Sequence, residues 1–239
     1  MKRGVIIAAL PAELRPLVRG WRRRARGSAE VWERPEAAGG WRWTAACAGI
    51  GRAAALRALA AAEAAAGPAD RIVSAGFAGA LTSDCVPGRV YAPDVILDGG
   101  DEGGSGVPAA LEGRGTAGTP RPLTLVTADR VLSVEDKVAF RRQFGAHLVD
   151  MEAAALAEAA RSRGVAFACL KGVSDGPGDR VPGDPSFIGP EGRLRYGPLI
   201  LHALSRPRDW AAFLRVGQNS AAAARGLKTA LLAVMDDTA

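Results

Sequence analysis

The feature that most narrows the fold is the alternation of short apolar runs with helix-forming stretches. Arg52 to Ala66 is nearly all alanine and leucine, interrupted by Arg57 and Glu63, and Gly67-Pro68 follows it directly. Straight-chain residues and alanine lose little conformational freedom in a helix, whereas glycine and proline end one. Arg71 to Ala75 then reads as a buried strand that ends in the small-residue turn Gly76-Phe77-Ala78-Gly79. Val5 to Leu10, Trp41 to Ala48, Val90 to Leu97, Leu123 to Thr127 and Val165 to Leu170 are further short apolar runs, as expected of strands covered on both faces. Ser133 to Phe144 and Met151 to Arg163 are helical in pattern, the second with Asp150 as its N-terminal cap. Two C-terminal helices, roughly Leu199 to Leu204 and Trp210 to Val234, complete the pattern. Strand–helix alternation of this kind predicts an α/β fold with a central mixed or largely parallel sheet.

At 239 residues the chain is long enough to bury one sizeable core, and its 48% hydrophobic and 23% charged residues exclude a disordered chain. The expectation is a single three-layer domain over 1–239, with a Gly/Pro-rich flexible loop at 99–122 and a helical extension at 199–235. No apolar run reaches the roughly 18 residues that cross a bilayer, and Val5-Ile6-Ile7 stops at Pro11 without a cleavage site. Three widely spaced cysteines (Cys47, Cys85, Cys169) read as reduced structural thiols of a cytoplasmic protein. With only His147 and His202 beside them, no metal-ligand spacing is recognisable, so no metal and no cofactor is expected. The net charge of +6 raises the question of nucleic acid, carried by Trp21 and Arg22-Arg23-Arg24-Ala25-Arg26. No nucleic-acid motif accompanies that run, and a solvated arginine-rich face accounts for it.

Three carboxylates occupy positions where α/β proteins collect ligands. Glu13 follows the first strand after Pro11, Glu152 opens a helix where the dipole favours an anion, and Asp175 ends a strand after Ser174. Each also has an ordinary use: Glu13 as a cap or solvent-facing residue, Glu152 as a helix-dipole partner, Asp175 as an Asx-turn residue. Together they suit general acid/base work on a bond that is protonated on one side and attacked on the other.

Four stretches occur in a telling order: Ala8-Ala9-Leu10-Pro11-Ala12-Glu13-Leu14, Gly76-Phe77-Ala78-Gly79-Ala80-Leu81, Val149-Asp150-Met151-Glu152-Ala153-Ala154-Ala155 and Val173-Ser174-Asp175. Together they resemble the nucleoside phosphorylase/nucleosidase superfamily, especially methylthioadenosine/S-adenosylhomocysteine nucleosidases. The resemblance implies a mixed-sheet α/β fold, a purine nucleoside as substrate and cleavage at its glycosidic bond. It also implies a homodimer. By the same resemblance Asp175 protonates or hydrogen-bonds the purine N7 and Ser174 orients it. Glu152 holds the ribose hydroxyls, Met151 packs on the sugar, Glu13 activates water, and Ala78-Gly79 admit the ligand close to the backbone.

Two positions depart from that pattern. Phe77 stands where nucleosidases carry a small hydroxyl residue, and Val131 where an aromatic stacks on the base. Both point away from an ordinary adenine nucleoside. Gly189-Pro190-Glu191-Gly192-Arg193, Leu204-Ser205-Arg206-Pro207 and Asn219 to Arg225 resemble the tail of hopanoid-associated phosphorylases. That branch implies a large lipid on the 5′ carbon, peripheral lipid contact and inorganic phosphate as co-substrate. Leu201, Leu204, Trp210, Phe213 and Leu214 equally suit a helix that covers the sheet or a dimer interface. Arg52, beside Gly49-Ile50-Gly51 at a helix start, is the candidate phosphate ligand, with an ordinary surface arginine as the alternative. The sequence expectation is therefore hydrolysis at a purine nucleoside, with phosphorolysis and a non-catalytic nucleoside-binding protein as the other two readings.

Overall fold

Eleven strands join one mixed sheet among the residues described in the computed structural model, which are 1–35, 40–100, 107–108, 122–181, 189, 191–193 and 210–236. In chain order the elements are β1 (Lys2–Ala8), α1 (Pro11–Leu14), β2 (Arg22–Arg26), β3 (Ala29–Glu33), β4 (Trp41–Cys47), α2 (Arg52–Ala66) and β5 (Arg71–Ala80). Then follow β6 (Val90–Tyr91), β7 (Val95–Asp98), β8 (Val107–Pro108), β9 (Thr124–Thr127), α3 (Val134–Phe144), β10 (Leu148–Asp150), α4 (Ala153–Arg163), β11 (Ala166–Asp175) and α5 (Trp210–Asp236). The sheet runs β2-β3-β4-β1-β5-β10-β9-β7-β8, and β11 lies beside β5 with β6 on its other side.

Strand β1 pairs in parallel with β4 and β5, and β5 in turn pairs in parallel with β11. Along β1 and β5 the side chains alternate between two cores. Val5, Ile7 and Ile72 face α2 and α4, whereas Ile6, Ala8 and Val73 face α5. This period of two explains why these segments read as nearly continuous apolar runs: both sheet faces are covered by helices. The expected three-layer α/β architecture, a mixed sheet flanked by helices, is what the chain adopts. Helix α5 lies close on β11 because small residues permit it; a Cβ on Gly172 would come within 2.7 Å of Ala223 Cβ. No helix among the described residues is long and apolar enough to cross a membrane. The three cysteines are buried and unbonded to one another, and burial pushes the Cys47 and Cys169 thiols up to about 12.

Several expected boundaries move. Gly76-Phe77-Ala78-Gly79 is not a turn but the second half of β5. It pairs with Lys171, Gly172 and Val173 of β11 and, past a register shift at Ser174, with Asp175, and ladder pairing outweighs the weak strand preference of glycine. Val90 to Leu97 is two strands rather than one. Pro93, with no N–H to donate, separates β6, which pairs with β11, from β7, which pairs with β9. The hairpin β2–β3 is absent from the sequence expectation, because its basic run masks the strand pattern. There Arg23 pairs with Glu30 and Arg24 with Glu33, so part of the basic run is neutralised across the hairpin. The expected helices at Ser133 and Met151 begin at Val134 and Ala153. Most of loop 99–122, the helix Leu199 to Leu204, Pro190, the stretch Leu204 to Pro207 and the side chain of Phe213 lie outside the described residues.

Candidate active site

Strand β1 ends at Ala8, and Pro11 at the first position of α1 turns the chain so that Glu13 points back across the sheet edge. Glu13 is 4% exposed. Its Oε2 accepts the Leu10 N–H at 2.7 Å and its Oε1 accepts the Phe77 N–H at 2.7 Å. Gly76 makes this possible: its φ is +148°, and a Cβ there would lie 2.8 Å from Glu13 Oε1. Burial raises the Glu13 carboxyl above its ordinary range, while the two N–H donors and the field of Lys171 work against that rise.

A second group lies where β10 meets α4. Asp150 Oδ1 accepts the Thr127 hydroxyl at 2.7 Å, and Oδ2 accepts the Ala153 N–H at 2.9 Å and faces Lys171 Nζ at 2.8 Å. The Ala154 N–H donates to Thr127 Oγ1 at 2.9 Å, so the first amides of α4 are satisfied by Asp150 and Thr127. Glu152 is left for another use. Its side chain makes no cap hydrogen bond to α4; its Oε1 instead accepts the Gly51 N–H at 2.7 Å, linking α4 to the start of α2. Burial and the neighbouring Asp150 charge push the Glu152 carboxyl up to about 7, against the opposing pull of Lys171 and the Gly51 N–H. Burial lowers the Lys171 ammonium, yet Asp150 and its other neighbours outweigh that and hold it above its ordinary value.

The third group sits at the end of β11. Asp175 Oδ1 accepts the Ser174 hydroxyl at 2.5 Å, and Oδ2 accepts Lys137 Nζ at 2.5 Å. Lys137, from α3, is 2% exposed and also donates to the carbonyls of Gly176 and Asp179 at 2.7 and 3.2 Å. Helix α3 itself is held by Ser133, whose hydroxyl accepts the Asp136 N–H.

These groups surround one cavity of about 370 Å³. Glu13, Phe77, Ala78, Gly79, Val131, Met151, Glu152, Ser174 and Asp175, all singled out from sequence, line it together. Arg52 does not. Its guanidinium binds both oxygens of Asp98 at 2.6 Å, Asp129 at 2.7 Å and the Thr127 carbonyl at 3.1 Å. Two carboxylates already compensate its charge, so the geometry assigns it to joining α2 to the ends of β7 and β9 rather than to a phosphate.

Sequence reasoning passed over Asp150, Lys171 and Lys137. Asp150 was read only as a cap, and Lys171 lies in an apolar run where a lone cation is itself a signal, since charge is rarely buried unpaired. Lys137 carries no such signal, because α3 is charged along most of its length. Among the described residues the buried charged side chains are Glu13, Lys137, Asp150, Glu152, Lys171 and Asp175. Five of them line the cavity, and the sixth, Lys171, is paired to Asp150, which does. Four buried carboxyls stand against two buried ammonium groups, and Arg130, the other cation that lines the cavity, is paired to Asp136, so acid groups are in excess. Such a site suits acid/base chemistry on a substrate that develops positive charge.

Comparison with known proteins bears on the fold and on one stretch of the sequence. A family model described as the phosphorylase superfamily matches residues 122–193, the stretch that carries Val131, Lys137, Asp150, Met151, Glu152, Lys171, Ser174 and Asp175. No curated protein sequence matches the chain. Among solved structures, futalosine hydrolase of Helicobacter pylori superposes with a TM-score of 0.72 at 15% identity, covering 100% of this chain and 98% of that one. The 5′-methylthioadenosine/S-adenosylhomocysteine nucleosidase of S. pneumoniae gives 0.70 at 18% identity, covering 98% of both. The 5′-methylthioadenosine nucleosidase of Arabidopsis thaliana gives 0.67 at 18%, covering 100% and 96%. Residues 122–193 are thus similar in sequence to the phosphorylase superfamily, and over its length the chain has the fold of these three structures.

Proposed function

We propose that the chain cleaves the N-glycosidic bond of a purine nucleoside of the adenosyl type by hydrolysis. The observation that carries this reading is the gathering of every described buried charge around one cavity, with carboxyls in excess. Loss of a base leaves the sugar cationic in the transition state, and preorganised carboxylates stabilise that charge without reorganising. In this reading Asp175 gives a proton to the departing base and Glu152 accepts hydrogen bonds from the ribose hydroxyls. Met151 packs on the sugar, Ala78 and Gly79 admit the ligand to the backbone, and Glu13 takes a proton from the attacking water. Burial, which raises the Glu13 carboxyl, makes it a stronger base than an exposed carboxylate. The similar folds named as hydrolases and nucleosidases support the reading.

A second reading has its own observation. A larger space of about 800 Å³ lies beyond Phe77 and Ser220, which line both it and the cavity. Trp32, Val18 and Pro16 give it apolar walls, and Arg15, Arg19 and Arg225 line it as well. This suits a nucleoside with a large apolar 5′ substituent, and phosphate as nucleophile is the form that reading takes. The carboxylate of Glu13 repels phosphate and favours water.

Base release from methylthioadenosine, S-adenosylhomocysteine, adenosine, inosine and an adenosine with a bulky apolar 5′ group, with and without phosphate, tests both. Free sugar without phosphate supports hydrolysis, and a sugar 1-phosphate formed only with phosphate supports phosphorolysis. Binding without release from every one of them leaves a nucleoside-binding protein. A homodimer and a cytoplasmic setting complete the proposal, and sedimentation of the purified chain tests the first.

A further inference from the structure

The Lys137–Asp175 pair is buried on both sides, with side chains 3% and 7% exposed. A buried ion pair is weak evidence for stability, because desolvating both charges offsets most of their attraction. Its position is more informative. Lys137 reaches Asp175 from another element, 38 residues away in sequence, and occupies Oδ2 alone. The Ser174 hydroxyl occupies Oδ1 and also lies 3.3 Å from the Ala78 carbonyl. One oxygen of the carboxyl is therefore tied to a fixed positive charge, and the other to a hydroxyl that has a second acceptor within reach.

We infer that Lys137 is the positioning and counter-charge residue of Asp175, holding Oδ2 so that Oδ1 serves the base, and this rests on the nucleosidase reading above. The step balances as follows. The glycosidic electron pair goes to the base, the O–H bond at Asp175 Oδ1 breaks, and an N–H bond forms on the base. The carboxylate left behind carries one negative charge, which the Lys137 ammonium at Oδ2 compensates in place. No co-reactant beyond water is needed. Lys137 also holds the carbonyls of Gly176 and Asp179, so a purely structural role is the alternative that the experiment must separate.

The experiment measures kcat and KM for the wild type, Lys137→Met, Lys137→Arg, Asp175→Asn and the double variant Lys137→Met/Asp175→Asn. On the inference, Lys137→Met lowers kcat about 10²-fold with little change in KM. Lys137→Arg, which keeps the positive charge, restores most of kcat. In the Asp175→Asn background Lys137→Met has no further effect on kcat, since the group it serves is gone. An unchanged kcat, a Lys137→Arg variant no better than Lys137→Met, or a further loss in the double variant overturns the inference and leaves Lys137 as a tether of the 176–179 turn. Should Lys137→Met fail to fold, Lys137→Gln carries the same comparison. Unchanged base release in Asp175→Asn instead overturns the nucleosidase assignment, so the two failures are told apart.

Discussion

The Phe77 N–H donates to Glu13 Oε1 at 2.7 Å, so a strand interior orients the carboxylate of a residue 64 positions away. The relation depends on Gly76, where φ is +148° and any Cβ would lie 2.8 Å from Glu13 Oε1. A carboxylate held by two backbone donors cannot rotate freely and needs no side-chain partner. It is preorganised at a cavity wall, where a water-activating group has to be fixed before substrate arrives.

Glu13→Gln keeps shape and burial but cannot take a proton from water. Base release is expected to fall about 10²- to 10³-fold in kcat with KM little changed. Because burial raises the Glu13 carboxyl, removing its charge also relieves a desolvation penalty at neutral pH. One of the two backbone N–H donors then faces the new NH2, which offsets that relief, so the thermal midpoint is expected to hold or fall, read by calorimetry beside the kinetics. Full turnover in this variant would remove Glu13 from the mechanism.

Gly76→Ala tests the same contact from the other side. The new Cβ meets Glu13 Oε1 at 2.8 Å and the backbone is in a region that L-residues rarely adopt. A loss of about 1–3 kcal/mol in stability is expected, measured by denaturant titration. Activity should fall with it, at temperatures where the variant is still folded, because Glu13 has to move.

Glu152 predicts the pH dependence. Its carboxyl titrates near 7 in the folded chain, above the ordinary 4.5, with burial as the leading cause. The folded state therefore holds this proton more tightly than the unfolded state does. The penalty for the buried charge is absent below about pH 4.5 and fully present above about pH 7, so this group lowers stability as pH rises between those values. The effect is on the order of 1–3 kcal/mol, and Glu152→Gln should flatten the stability profile in that window. Substrate binding has the opposite sign, because the ionised form is the better acceptor for ribose hydroxyls. KM is expected to rise as pH falls through about 7, and in Glu152→Gln to be high and independent of pH over that range.

Arg52→Ala separates the phosphate reading from the structural one. With the guanidinium spent on Asp98 and Asp129, the variant should respond to added phosphate as the wild type does. It should lose about 1 kcal/mol of stability, as expected for a partly exposed pair. A phosphate dependence that disappears only in Arg52→Ala would return Arg52 to the site.

The sequence by itself determines the elements whose signals are local. Alanine content and the glycine and proline that bound it set α2 at Arg52–Ala66, and apolar runs covered on both faces announce β1, β4 and β11. The order of four short stretches brings Glu13, Phe77, Glu152 and Asp175 into view as one set. What each polar side chain does was decided only by tertiary structure. Glu152 stands where a helix dipole would use it, but its partner is Gly51, 101 residues away. Arg52 stands where a phosphate would meet it, but Asp98 arrives from β7 to take it. Lys137 looks like one more charge on a polar helix until β11 carries Asp175 over it. Helix and strand preference arise from interactions within a few residues, and a window of sequence contains them. The partner of a charge, and hence its burial and protonation, depends on which strands lie side by side, and no local window contains that.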